Sequence, residues 1–88
     1  MKVIKFTKNF EKAFKKRISP HSNLYKKFKE RLKSFEENPK NPTLHDHPLT
    51  GTKLGKRAFS ITGDYRVVYR EEVDYFVFYD VGTHNQVY

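Results

Sequence analysis

Residues 8–18, KNFEKAFKKRI, place Phe10, Ala13, Phe14 and Ile18 at intervals of three and four. That spacing gathers them on one stripe of an α-helix and leaves Lys8, Lys12, Lys15 and Lys16 mainly off it. Thr7 stands where an N-cap belongs, and KVIKF before it (residues 2–6) reads as a short strand. Pro20 ends the helix, because it disfavours helical geometry at Ser19 and brings no N–H. A second helix is expected from a cap at Ser22 or Asn23 to about Glu37. Leu24, Phe28, Leu32 and Phe35 form its stripe, with Tyr25 beside it, and Asn38-Pro39 ends it.

The period then falls to two. In RAFSI (57–61), Phe59 and Ile61 share one side while Ala58 and Ser60 share the other. A tight TGD turn leads to YRVVYRE (65–71), which sets Tyr65, Val67 and Tyr69 against Arg66, Val68 and Arg70. After a second turn at 72–74 comes YFVFYDVG (75–82), apolar or aromatic at nearly every position, as expected for a strand covered on both faces. The order β-α-α-β-β-β predicts an α+β fold: two N-terminal helices packed on one face of a small antiparallel sheet. The first strand belongs at an edge, on a side that the sequence does not fix. Two helices cover one face only, so the Arg66/Arg70 side is expected to be open. Between the halves lies NPKNPTLHDHPLTGTKLGK (38–56), a proline-spaced loop of a length that is uncommon without function.

The 88 residues fit a single domain spanning 1–88. Such a domain buries only about 60–65% of its unfolded surface, so its stability is modest. Cysteine is absent, which excludes a disulfide frame, a thiolate metal site and a thiol nucleophile. No apolar run approaches the roughly 18–20 residues of a membrane span. MKVIKFTKNF lacks the apolar centre of a signal peptide, so a cytoplasmic protein without membrane contact is expected. Lys and Arg number 18 against 10 Asp and Glu, a formal +8. That balance favours a polyanionic partner, nucleic acid or an acidic protein segment, and is equally met by solvated surface lysines.

Several chemistries are poorly served. His45 and His47 flank Asp46, but one His-x-His pair supplies two zinc ligands, with no cysteine and no HExxH to complete them. Neither a metal nor another cofactor is expected. Gly51 and Gly55 precede a strand rather than a helix, so they are turn residues and not a nucleotide cradle. Ser60, His84 and Asp64 could be named as a hydrolase set, but no nucleophile elbow accompanies them. Cleavage of RNA needs a different set of groups. The ribose 2′-OH is the nucleophile, so the protein supplies a base, an acid for the leaving 5′ oxygen, and cations at the phosphate. Histidine suits either proton, arginine suits phosphate, and aromatics stack on unpaired bases. The chain offers His47 in the loop, Asp64 at the turn, Arg66 on the strand, and His84 with Tyr88 in the tail. Arg70 and Lys53 are further cations. Each also has a structural reading. Asp64 is a natural turn former, Arg66 could pair with Asp80 or Glu71, His84 could cap the strand end, and Tyr88 could pack beneath the sheet.

DHPLTG, KRAFSITGDYRVVYR and VGTH…VY, in this order over roughly residues 44–88, resemble the RelE/ParE superfamily of type II toxin–antitoxin toxins, and its YafQ branch in particular. The helical half is similar only in pattern. The resemblance implies an RNase-like α+β fold and a metal-independent endoribonuclease, an mRNA interferase that cuts mRNA in the ribosomal A site. It implies as partners the ribosome, mRNA and a cognate antitoxin, with operator DNA reached only through that antitoxin. His47 then matches the loop histidine, Asp64 the acid, His84 the tail histidine of proton transfer, and Tyr88 the C-terminal aromatic. Arg66 is similar to a strand arginine of the RelE branch that contacts the scissile phosphate, and Tyr65 stands where an aromatic follows the acid. Two positions depart from the pattern: Ser60 replaces a histidine, and Asp80 replaces an arginine. A carboxylate at the latter place repels phosphate unless it is paired. A ParE-type toxin that binds gyrase, and a decayed toxin that only binds its antitoxin, are therefore the alternatives.

Overall fold

A computed structural model describes residues 2–88. Thr7 caps the first helix as its position predicts, its Oγ1 accepting the Phe10 N–H at 3.0 Å. The elements are β1 (Val3–Phe6), α1 (Lys8–Arg17), α2 (Ser22–Glu37), β2 (His47–Pro48), β3 (Arg57–Ser60), β4 (Tyr65–Glu71), β5 (Tyr75–Thr83) and α3 (His84–Val87). The fold is α+β, as expected, and β3, β4 and β5 form the expected antiparallel meander. The sheet order is β1-β5-β4-β3-β2. β1 lies at the edge beside β5 and runs parallel to it.

The helices cover the face of β4 that carries Val67 and Tyr69. Phe35 of α2 is fully buried there. Its ring meets those of Phe59, Tyr69, Phe76 and Phe78 at centroid distances of 4.9, 5.0, 4.8 and 5.6 Å. Phe10, Ile18 and Phe28 extend the same cluster, and Tyr65 packs against it.

Three expectations change. β5 is not covered on both faces. Phe76, Phe78 and Val81 are buried, but Tyr75, Val77 and Tyr79 are only half-buried on the face away from α1 and α2. Lys5 and Lys56 lie over the Tyr75 and Tyr79 rings at 4.2 and 4.6 Å, so the aromatic sequence serves cation–π contacts as well as core. The Arg66/Val68 face is not wholly open either. Leu49, Ala58, Val68 and Val87 form a second buried cluster on it, closed by α3 and by the segment after β2. Finally, residues 38–56 are not structureless. They contain β2 and the 3₁₀ turns Pro42–Leu44 and Gly51–Lys53, and Leu44 and Leu49 are buried anchors.

A bulge sets the phase of β5. Val68 pairs with Asp80 and Tyr69 with Phe78, so Tyr79 has no partner on β4. A regular strand would put Asp80 on the face of Phe76 and Phe78, inside the core. The extra residue instead turns Val81 inward and Asp80 to the opposite face. The Tyr79 carbonyl, displaced from the ladder, accepts from Thr7 Oγ1 at 3.2 Å and Asn9 Nδ2 at 2.9 Å.

Phe35→Ala is expected to cost about 3–5 kcal/mol, because four aromatic rings lose their common neighbour. Urea unfolding followed by circular dichroism checks this, and an unchanged midpoint would contradict the placement of the core.

Candidate active site

Asp46 fixes the loop that carries His47. Its side chain is 7% exposed and receives three hydrogen bonds. Tyr69 Oη donates to Oδ1 at 2.6 Å, and Arg57 Nε and Nη2 donate to Oδ2 at 3.0 and 2.8 Å. The segment is thereby tied to β3 and β4, where His47 pairs with Ala58. His45, just before Asp46, closes the first 3₁₀ turn with φ 51°. This left-handed conformation brings its carbonyl to His47 Nδ1 at 3.0 Å. A carbonyl only accepts, so Nδ1 carries the proton and donates. The neutral ring then presents its Nε2 lone pair outward.

Tyr88 Oη lies 3.3 Å from that Nε2. Burial, the larger cause, raises the Tyr88 pKa above the ordinary tyrosine value, and Arg66 works against it. At neutral pH the phenol is therefore protonated and donates to His47. His84 opens α3, a single turn with a capping box between Thr83 and Gln86. The His84 and Tyr88 rings meet edge to face, 4.4 Å apart. The His84 N–H donates to the Asp64 carbonyl at 3.2 Å, which ties the tail to the turn before β4.

Arg66, half-buried on β4, faces Ser60 across β3 and Gly82 across β5. It pairs with neither Asp80 nor Glu71. Asp80 is held by Arg17, whose Nη1 reaches round the β5 edge beyond β1 to the carboxylate at 3.3 Å and to the Val81 carbonyl at 3.1 Å. Glu71 is held by Lys2 at 2.6 Å. The closest bond of Arg66 is a long one, from Nη1 to the Gly63 carbonyl at 3.5 Å. Its Nε is buried with no partner. Among the described residues no carboxylate pairs with Arg66.

His47 forms a shared wall between two clefts. One, of about 450 Å³, is lined by Lys53, Tyr88 and the 48–52 segment. The other, of about 390 Å³, is lined by Arg31, Thr43, His45, Ser60 and Arg66 among others. The structure thus brings together His47, His84, Tyr88, Arg66 and Lys53. It does not bring Arg70 to them. That residue is about 13 Å further along β4, exposed and paired with Glu72. Tyr65 packs on the helix side, opposite Arg66. Exposed Asp64 lines a shallow cleft with Asn23, Leu24, Lys27 and Tyr65, and joins the site through its carbonyl. Arg31, the His45 carbonyl and the Asp46–Tyr69–Arg57 set do not emerge from sequence reasoning. Arg31 had a signal, since it stands beside the α2 stripe, three residues past Phe28, where a cation must reach outward. Among the described residues no three His, Asp or Glu side chains converge as metal ligands.

Bacterial toxins of known structure share this fold. YafQ from E. coli strain BL21(DE3) superposes with a TM-score of 0.83 at 22% identity, covering 100% of this chain and 99% of the other. The YafQ of the E. coli DinJ–YafQ complex (TM-score 0.78, 24% identity, 100% and 99% covered) and a metal-bound toxin from Helicobacter pylori (0.78, 24%, 100% and 100%) have the same fold. No curated protein sequence matches the chain. The family model for YafQ, the bacterial toxin of a type II toxin–antitoxin system, matches residues 2–88, and the chain belongs to that family.

The Asp46 clamp predicts an alkaline limit to stability. Burial first, then the bond to Asp46, holds the Tyr69 pKa far above its ordinary value. The unfolded chain releases that proton above about pH 10 while the folded one keeps it. The contribution is therefore complete below pH 10 and declines as pH rises beyond it. Urea midpoints measured from pH 8 to 11 should fall at the top of this range, and Tyr69→Phe should flatten the fall. An equal slope in parent and variant would assign the titration to another group.

Proposed function

We propose that this toxin is a ribosome-dependent mRNA endoribonuclease that needs no metal. The observation that carries this reading is the His47–Tyr88–His84 cluster beside an arginine that, among the described residues, no carboxylate neutralises. In the neutral ring the Nδ1–H bond to the His45 carbonyl selects the tautomer whose free lone pair is on Nε2, and that atom accepts the proton of the ribose 2′-OH. The 2′ oxygen attacks phosphorus, and the bond to the 5′ oxygen breaks. His84 gives a proton to that leaving oxygen. A 2′,3′-cyclic phosphate and a 5′-hydroxyl result. Arg66 stabilises the charge that grows on the pentavalent phosphate, where a fixed cation in a partly desolvated site acts most strongly. Lys53 is the second cation, rather than the distant Arg70. Tyr88 yields its bond to His47 Nε2 to the incoming 2′-OH and offers its own ring to a base. Asp64 orients the tail through its carbonyl.

Asp80 does not argue for a decayed site, because Arg17 neutralises it. The partners of this reading are mRNA on the ribosome and an antitoxin encoded beside the toxin. The antitoxin carries acidic residues to the basic surface and supplies the contact with operator DNA. The cytoplasm is the compartment in which all of these meet.

Induced expression of the parent chain should arrest growth and cut mRNA on translating ribosomes. His84→Ala and His47→Ala should each slow cleavage by about 10²–10⁴-fold, with folding preserved by circular dichroism. Toxicity of His84→Ala equal to that of the parent would sink the assignment. Inhibited gyrase supercoiling with intact mRNA would favour the ParE-type activity instead.

A further inference from the structure

The cleft on the α2 side of His47 has two arginines in its lining and no carboxylate. Arg31 reaches it from α2, its Nε donating to the Ile61 carbonyl at 3.3 Å. That bond fixes the stem and leaves the terminal nitrogens for the cleft. Among the described residues no acid pairs with Arg31. Arg66 enters from β4 with its Nε buried and unsatisfied. That Nε is closed to solvent, so Arg66 serves the cleft through its terminal nitrogens, of which Nη1 makes only a long bond to the Gly63 carbonyl. Two unpaired guanidinium groups at one cleft define a place for an anion with several acceptor oxygens.

The rest of the lining narrows the choice. Thr43, Ser60 and Thr62 contribute small hydroxyl-bearing side chains, suited to a sugar beside the anion. The volume, about 390 Å³, falls at the lower end of small-ligand sites, about 300–1,000 Å³. Across the His47 wall, the other cleft has a single cation, Lys53, and the Tyr88 ring. Cations thus stand on both sides of one histidine. A chain with an anion at each unit can place one in each cleft and cross His47 between them.

We infer that the Arg31–Arg66 cleft binds the phosphate and ribose of the nucleotide next to the cleavage point in a single RNA strand, with Arg31 as the residue dedicated to that phosphate. The inference rests on the endoribonuclease reading for the identity of the strand, and its chemistry can be tested without cleavage. Arg31 lies off the reacting atoms, so it governs substrate binding rather than the proton steps. An acidic peptide is the rival occupant.

The probe is a fluorescent single-stranded oligonucleotide made wholly of 2′-deoxynucleotides, which lacks the attacking hydroxyl and cannot be cut. Its affinity is read by anisotropy over a range of salt. Arg31→Gln should weaken binding about tenfold and reduce the slope of log K against log salt by about 0.7, the value for one phosphate contact on a single strand. Arg31→Lys should recover the slope, which a structural role for the Ile61 bond would not do. Thr43→Glu, which adds a carboxylate to the cleft and leaves Arg31 in place, should also weaken binding; it serves where Arg31→Gln does not fold. In cleavage assays Arg31→Gln should raise KM and leave kcat nearly unchanged. A folded Arg31→Gln with the parent's affinity and salt slope overturns the inference, as does Arg31-dependent binding of a polyglutamate peptide by a protein that ignores the oligonucleotide. Oligonucleotide binding through Arg31 by a parent chain that cuts no mRNA supports the cleft and refutes the nuclease reading. Normal cutting by Arg31→Gln with unchanged KM does the reverse.

Discussion

The buried carboxylate of Asp46 holds the site to the fold. Charged groups are rarely buried without partners, and this one has three donors from two strands. The bonds span 11 and 23 residues, so they join the proline-spaced segment to strands made much later in the chain. His45, His47 and β2 take their places from this anchor. Removing one partner from a buried pair of this kind costs about 3–5 kcal/mol, a large share of the about 5–15 kcal/mol that holds an ordinary domain. The anchor is polar rather than apolar for a geometric reason. Leu44 and Leu49 keep the segment down, but only directed hydrogen bonds fix how it is turned, and the turn decides where His47 points.

The sheet meets a second constraint through the bulge at Tyr79. Without it, Asp80 would enter the aromatic core around Phe35. With it, Asp80 emerges beside a stretch of β5 that has no strand on its outer side, and Arg17 reaches it there. The displaced carbonyl is taken up by the start of α1. One extra residue thus moves a charge out of the core and docks a helix at both of its ends.

Charge is distributed in the same spirit. Lys2, Arg17, Arg57 and Arg70 have acidic partners, and Lys5 and Lys56 have aromatic ones. Among the described residues, Arg31 and Arg66, around the His47 wall, have no acidic partner. The basic excess is therefore not spread evenly. The cations without acidic partners include those nearest the histidines, where a phosphate chain is proposed to lie.

The periods of 3.6 and 2 in the sequence determined both long helices, the meander and the helix-covered face of β4, because each of these is a local repeat of apolar side chains. His47, Arg66, His84 and Tyr88 could be named as candidates by residue type, since histidine suits proton transfer, arginine suits phosphate and aromatics stack on bases. Tertiary structure alone decided the parallel place of β1, the bulge, the one-turn α3 and the short β2. It alone separated Arg70 and Tyr65 from the other candidates and brought Arg31 in. The reason is range. Periodicity records which neighbours along one element share a face, whereas the bonds of Asp46, the reach of Arg17 and the cleft between Arg31 and Arg66 join residues 11 to 64 positions apart, and no local pattern carries a trace of them.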